Sequence, residues 1–442
     1  MKIPVVPTNK PAGHLKEYVS NPVAFLHKHW TNHGDIYQFR VAYRNLIFTS
    51  DPDHVKQLLQ EDHSAYRKNL AYRKLKLLLG DGLFTGEGKS WLQQRRLAQP
   101  AFHKERLSVY VASMQEAAGK LAEQWQSKEE VNVVPEMTAV TLRIISKALL
   151  NIDQGEEGNK VIEDHLPYAL DFMIRRITSP VNMPMFFPVP KHIRFRESVR
   201  EMDRMIRNLI KYRRDQKDYG DDLLSMLMQA RDAETGETMG DRNLRNEILT
   251  FFLAGHETTA MTMSWMLYLL AVNPDAQERL RSEIRDVYRS EAVTPDQLHR
   301  MTYTQNVIKE TMRMFSPIWI MGREALIPGK LGEYLIKRGD SIIFSSFLIH
   351  RHPRYWQKPE EFNPDRFSHD EGMKQHKYAY FPFGGGPRLC IGNSFAMMEM
   401  QVLLSEIAGR FRFQLVDKSH PDFHFSLTLR PKKEIRIRLE KI

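Results

Sequence analysis

The chain has 442 residues, 42% hydrophobic and 27% charged, with 23 Gly and 23 Pro, an ordinary globular mix that excludes a small stapled scaffold, a collagen-like chain and a disordered one. Lys and Arg outnumber Asp and Glu by 64 to 54, a net charge of +10, which favours an acidic partner or surface without naming it. One cysteine excludes an intramolecular disulfide and points to a reducing compartment, expected to be the cytoplasm.

The first eleven residues contain three prolines and no apolar run fit for a signal or a spanning helix. Residues 35–49 alternate as Ile-Tyr-Gln-Phe-Arg-Val, Ala-Tyr-Arg-Asn and Leu-Ile-Phe-Thr, which predicts a β-hairpin. From about 52 to 315 helical spacing takes over, with helices expected over Glu105–Gln126, Val133–Leu150, Val199–Lys217 and Pro274–Val287. The doublet Ala-Tyr-Arg-Lys at 65–68 and 71–74 is too short for an architectural repeat and reads as a basic, solvated loop or helix. The long apolar stretch Ile248 to Val272 carries Gly-His-Glu-Thr-Thr in its first half, so a buried internal helix is expected rather than a membrane span. Strand-like pieces return at Tyr334–Ile336 and Ser341–Phe344, followed by an irregular segment from His350 to Phe383. A last helix over about Asn393–Phe411 and strands at Phe413–Val416, His424–Leu429 and Glu434–Leu439 close the chain. With helices dominant and strands split between the ends, the class is α+β, mainly α with small β-sheets.

The lone cysteine lies in Phe383-Gly-Gly-Gly-Pro-Arg-Leu-Cys390-Ile-Gly392, an irregular loop feeding a helix expected to begin near Asn393. A sulfur at a helix N-terminus is favoured as thiolate, and glycines let backbone amides approach it. One cysteine cannot assemble a zinc or iron–sulfur centre; a single thiolate suits an axial heme ligand or a catalytic nucleophile, and an inert buried thiol is the plain alternative.

Phe383, Gly386, Arg388, Cys390 and Gly392 fill Phe-x-x-Gly-x-Arg-x-Cys-x-Gly, which resembles the heme-binding signature of the cytochrome P450 family. Three further motifs follow that family's order and spacing. Ala254-Gly-His-Glu-Thr258 resembles its oxygen-activation motif. Gly and a carboxylate inside an apolar helix are locally costly, the Gly by ~1 kcal/mol relative to Ala. The groove at Gly255 is read as room for a diatomic ligand. The competing zinc reading, His-Glu-x-x-His, fails because position 260 is Ala. Glu310-Thr-Met-Arg313 is a Glu-x-x-Arg that alone reads as a solvated helix pair. With Pro-Glu-Glu-Phe-Asn-Pro-Asp-Arg366-Phe367 downstream, it resembles the family's buried Glu-Arg-Arg network. Trp91-Leu-Gln-Gln-Arg95 resembles the family's Trp-x-x-x-Arg, with an indole and a guanidinium on one helix face.

The resemblance runs over nearly the whole chain and implies a mainly α P450 fold, a single triangular domain over residues 1–442. It implies a heme b whose iron takes its axial thiolate from Cys390. Thr258 would donate a hydrogen bond to dioxygen and Glu257 would relay protons; Trp91, Arg95 and Arg388, with Arg323 in a lesser role, would serve the heme propionates. Ala254, Gly255, Phe383, Gly384 and Gly392 would frame the cofactor. The implied reaction is monooxygenation of a hydrophobic small molecule by O2, with electrons from a ferredoxin or flavodoxin-type donor and its reductase, no membrane span and no nucleic acid. Neither an N-terminal anchor nor a flavin extension is read, so separate donors are expected. Arg388, Lys374, Lys377 and Arg96 are read as the basic groups that steer an acidic donor, with scattered solubilising charges as the alternative. Apolar segments at about 66–84 and 166–190, residues 316–322 and the turn near Leu427 are read as substrate walls, with Phe172, Met173, Met183, Met185, Phe186, Phe187, Ile318, Trp319 and Ile320 as candidates. They point to a hydrophobic substrate, and the resemblance to soluble bacterial members of the family implies a fatty acid, terpenoid, carotenoid or steroid-like one. A protein of this fold that binds heme or an apolar ligand without turnover is the second reading, and Glu257-Thr258 argues against it.

Overall fold

The computed structural model describes residues 1–151, 157–179, 182–216, 220–288, 293–368 and 376–442. Contacts gather in two compact units: Met1–Asn69, Met114–Thr138 and Thr258–Ile442 form the first, Leu70–Ser113 and Ala139–Glu257 the second.

The first unit holds the sheets. Its strands are β1 (Ile36–Val41), β2 (Arg44–Thr49), β3 (Tyr66–Lys68), β4 (Glu130–Asn132), β5 (Met321–Ala325), β6 (Gly329–Leu331), β7 (Tyr334–Ile336), β8 (Ser341–Phe344), β9 (Phe411–Leu415), β10 (Phe423–Phe425), β11 (Leu429–Pro431) and β12 (Arg436–Lys441). A five-stranded sheet runs in the order β1-β2-β8-β5-β3, a three-stranded one in the order β4-β12-β9, and β6-β7 and β10-β11 are two-stranded ribbons. The expected hairpin is β1-β2, in register from Ile36↔Thr49 to Val41↔Arg44, and β2 then pairs in parallel with β8. Period-2 burial puts Ile36, Ile47, Ile342 and Phe344 in one core with Val55, Leu58, Tyr378 and Phe381, so the Cys390 loop leaves directly from a packed edge of this core.

The helices Thr302–Met314 and Asn393–Ala408 also belong to this unit. The latter is apolar nearly all round and buried over its second half, the pattern of a central rather than a surface helix.

The second unit is helical: Leu70–Leu79, Gly88–Ala98, Glu157–Thr178, Pro190–Gln216 and Leu223–Gln229, with most of Val133–Leu150 and the first half of Asp241–Val272. A buried and a half-buried ion pair join these helices. Arg213 reaches Asp222 at 2.6 Å and the Leu150 carbonyl at 2.7 Å, and Arg245 reaches Asp203 at 2.6 Å and the Leu78 carbonyl at 2.9 Å. Phe172 stacks on Phe195 with ring centroids 4.4 Å apart.

Helix Val133–Leu150 and strands β7 and β8 fall where the sequence puts them. The helix expected over Glu105–Gln126 is interrupted by a 3-10 turn at Ser108–Tyr110. The helix expected from Val199 starts at Pro190, because its basic first turns hide the apolar stripe. The strand expected over His424–Leu429 is a ribbon instead, β10 turning into β11. Of the Ala-Tyr-Arg-Lys doublet, one copy contributes β3 and the other lies in Leu70–Leu79. No helix among the described residues is long and apolar enough to cross a membrane.

Candidate functional site

The Cys390 loop is shaped by backbone. Gly384 and Gly386 adopt φ of +73° and +63°, a region that favours glycine. A Cβ on Gly386 would collide with the Leu59 carbonyl, and one on Gly385 with the Tyr378 ring, so the loop lies flat against residues 57–61 and 378. The Cys390 amide donates to the Phe383 carbonyl at 3.0 Å and the Gly384 amide to the Phe381 carbonyl at 2.9 Å. Gly392 caps the helix Asn393–Ala408, and the thiol, exposed, stands just before that helix. The lone cysteine is therefore an accessible sulfur on a fixed loop beside a helix N-terminus, not an inert core residue.

Behind the loop stands the Glu-x-x-Arg pair, fully buried rather than solvated. Arg313 donates to Glu310 at 2.7 and 2.9 Å, and Arg366 donates to the same carboxylate at 3.1 Å. The Asn363 amide adds a bond of 2.9 Å to Glu310. Arg313 also donates to the His350 carbonyl at 3.0 Å, and the His350 Nε2 accepts from the Phe381 amide at 2.9 Å. Burial holds the His350 pKa down to about 3, so the ring is neutral and its Nε2 stays an acceptor. The ion network is thus tied to the start of the Cys390 loop by two hydrogen bonds.

The Ala254-Gly-His-Glu-Thr258 segment lies mid-way along the helix Asp241–Val272. In a stretch otherwise buried, Ala254 is exposed and Gly255 and Thr258 are half-buried, an open strip at i, i+1 and i+4. The adjoining Glu257 is buried. The Thr141 hydroxyl donates to the His256 carbonyl at 3.1 Å. The groove read at Gly255 is corrected: the missing Cβ faces Ile145, whose Cδ1 would stand 2.9 Å away, so this glycine serves close helix packing.

Trp91 and Arg95 lie on the helix Gly88–Ala98 of the second unit, Trp91 buried and Arg95 half-buried. Arg388 is half-buried in the 3-10 turn Gly386–Arg388, and Arg323 is buried on β5, donating to its neighbour Gly322 at 3.0 Å. Cys390, Arg388, Arg323, Phe383, Gly384, Gly392 and Thr258 fall in the first unit; Trp91, Arg95, Ala254, Gly255 and Glu257 fall in the second.

The donor set fits a heme-thiolate site on two observations: an accessible sulfur on a rigid loop, and an open strip beside a threonine in a buried apolar helix. The family model of cytochrome P450 matches residues 4–439. The chain belongs to the cytochrome P450 family. It is 31% identical to cyclooctatin synthase of Streptomyces melanosporofaciens over 96% of this chain and 93% of that one, and 29% identical to pentalenene oxygenase of Streptomyces avermitilis over 90% and 88%. Among solved structures it is similar to the heme domain of cytochrome P450DA, with a TM-score of 0.92 and 28% identity over 100% of this chain and 97% of that one. This P450 is therefore a monooxygenase of the heme-thiolate class, with the mainly α fold and small sheets that its sequence implied.

One expected role changes, and the other expected residues are placed as follows. Arg96, read as a steering cation, is paired with Asp232 at 2.8 Å and Glu234 at 2.7 Å, so its charge is compensated locally. Lys374 lies outside the described residues, and Lys377 is exposed. Of the substrate walls, Phe172 and Met173 are buried core residues of the second unit, while Phe186 and Phe187 are exposed and stack on each other at 4.6 Å. Trp319 is buried, its indole donating to the Ser426 carbonyl at 2.8 Å. Sequence reasoning missed His350; the only signal was a histidine ahead of a Pro-rich segment, which has no spacing rule.

Proposed function

We propose that this P450 hydroxylates an apolar C–H bond of a hydrophobic small molecule of the terpenoid class, with fatty acids and steroid-like compounds as the competing substrates. The observation that carries the reading is the accessible Cys390 sulfur on its pinned loop. The relatives named cyclooctatin synthase and pentalenene oxygenase support the substrate class.

In this reading the Cys390 thiolate would hold a heme b, which, when bound, would supply the chemistry that places one oxygen atom of O2 in the C–H bond, two electrons and two protons carrying the other away as water. The helix that starts at Asn393 directs its free amides toward the sulfur and favours the thiolate. Thr258 presents a hydroxyl at the open strip as hydrogen-bond donor to oxygen. Glu257, buried next to it, holds and passes a proton, a role typically worth ~10²–10⁴-fold in rate. Trp91, Arg95, Arg388 and Arg323 would supply indole and guanidinium donors for the propionates, while Phe383, Gly384, Gly392 and Ala254 would frame the cofactor. The buried Glu310–Arg313–Arg366 network keeps the loop in place and takes no part in proton transfer.

Electrons come from a separate ferredoxin or flavodoxin-type donor, steered by Arg388 and Lys377 on the side of the thiolate. Residues 1–442 act as one P450 domain, a reading supported by the family match over 4–439, and the single cysteine supports a reducing compartment such as the cytoplasm.

The test is titration of the ferric protein with terpenoid hydrocarbons, fatty acids and steroids, followed by product analysis with a reconstituted donor. A low-to-high-spin change and hydroxylated product with terpenoids alone support the substrate class. A response restricted to fatty acids or steroids overturns it.

A further inference from the structure

The first unit contains a cavity of about 840 Å³ bounded by the C-terminal ends of the helices Asp241–Val272 and Thr302–Met314, the turn around Arg351 and strand β10. None of the residues assigned above to heme or oxygen lines it. Its volume is in the range of small-molecule sites. Its walls are a continuous aromatic net: Phe423 lies 5.5 Å from Phe315 and 5.3 Å from Phe347, and Phe347 lies 5.7 Å from Phe425.

Into this net projects one cation. The Arg351 side chain is 9% exposed and its guanidinium sits 3.8 Å over the Phe347 ring. Nη1 donates to the Phe347 carbonyl at 3.1 Å and Nε to Glu360 at 3.2 Å, while Nη2 donates to no group among the described residues. Glu360, its one carboxylate partner, is 72% exposed. The neighbouring Arg313 adds like charge, and Glu310, the further carboxylate that acts on Arg351, is already shared by Arg313 and Arg366. The other acidic side chain of the lining, Glu361, is engaged with Lys358 at 3.1 Å. Burial lowers the Arg351 pKa to about 10, which still leaves it charged at neutral pH. A buried cation with an unused donor edge and a solvent-exposed counterion is under-compensated, and a carboxylate brought in by a ligand corrects that deficit. A neutral hydrocarbon would fill the net without meeting the charge, and a cationic amphiphile would be repelled.

We propose that this cavity binds an amphipathic carboxylate, its apolar chain against Phe315, Phe347 and Phe423 and its head group on the Arg351 guanidinium, where Glu360 now makes one exposed contact. The site is separate from the one at which substrate is oxidised and does not depend on the substrate assignment.

The test is photolabelling of the heme-loaded enzyme with a dodecanoic acid that carries a terminal diazirine, followed by peptide mapping. Label is expected within residues 268–273, 314–315, 347–351 and 420–425, and unlabelled dodecanoate should compete at least tenfold better than dodecan-1-ol. Arg351→Gln should lower the labelling at least tenfold, the loss of about one charge-assisted hydrogen bond. Because Arg351 is buried, the double variant Ala24→Trp/Val272→Trp, at two exposed positions on the rim, provides a second route; it should block the cavity with the fold intact. Label found only in other segments, equal competition by the alcohol, or full labelling of the rim variant would overturn the proposal.

Discussion

The Glu310 carboxylate and the Arg313 guanidinium, three residues apart on one helix, meet through hydrogen bonds of 2.7 and 2.9 Å with neither side chain exposed to solvent. Arg366 completes the network from the downstream segment. Its worth lies less in the attraction than in what remains when one member is taken away: Glu310→Ala leaves the buried Arg313 and the half-buried Arg366 without their carboxylate. We expect a loss of about 3–5 kcal/mol, measured by urea unfolding, and a loss under 1 kcal/mol would mean that the network is not what holds this region.

Two glycines of the Cys390 loop make an internally controlled pair. Both have positive φ, but only Gly386 is pressed against another backbone. Gly384→Ala should cost about 1–2 kcal/mol, the ordinary price of left-handed backbone. Gly386→Ala must also push the loop off Leu59, so it should be clearly more destabilising and should lose heme on gel filtration. Equal behaviour of the two variants would show that the contact with Leu59 is slack.

Gly255 and Ile145 form a packing pair. Ala in a helix interior is favoured over Gly by about 1 kcal/mol, but here the new methyl must displace the Ile145 Cδ1. Gly255→Ala is therefore expected to be near neutral in the native background and to gain about 1 kcal/mol in Ile145→Ala, where both crowding carbons, Cδ1 and Cγ1, are gone. Thermal unfolding of the four proteins gives the coupling, and strict additivity would contradict the packing explanation.

Asp35 predicts a pH dependence. Its carboxylate accepts from His352 at 3.1 Å, Ser50 at 2.9 Å and Trp30 at 2.8 Å, and pairs with Arg354 at 2.7 Å. The His352 Nδ1 accepts the Arg354 amide at 3.1 Å, so Nε2 carries the proton and donates. The His352 bond foremost, then those of Ser50 and Trp30, outweigh burial and hold the pKa far below that of an ordinary carboxyl. A depressed folded-state pKa stabilises above the unfolded value, near 4, and that stabilisation fades as pH falls through it. Asp35→Asn should therefore be destabilised relative to the native chain at pH 7, with the gap closing below about pH 4. A gap that widens on acidification would reverse the sign of this interaction.

The hairpin β1-β2, the helix Val133–Leu150 and the strands β7 and β8 were legible from their runs of β-branched, aromatic and helix-spaced apolar residues, although β2 and β8 bury consecutive residues rather than one face. Short strands such as β3 and β4, three residues each, were not legible, since pairing partners more than 250 residues away decide them. The cysteine loop was legible from its glycines, while the reason for each glycine was not: Gly255 reads as an opening from sequence and proves to be a contact with Ile145. The charge of Arg96 was equally opaque, because its partner Asp232 is 136 residues away. Arg351 gave no sequence signal at all, for a buried arginine and a surface one are spelled alike.

The most direct test of the central claim is the absorption spectrum of the reduced, carbon-monoxide-bound protein, recorded alongside Cys390→His. The account predicts a Soret band strongly red-shifted from that of a His-ligated heme in the native chain, and its loss in the variant. A native spectrum of the His-ligated type, or a thiolate spectrum that survives the substitution, would contradict the assignment of Cys390 as the axial ligand.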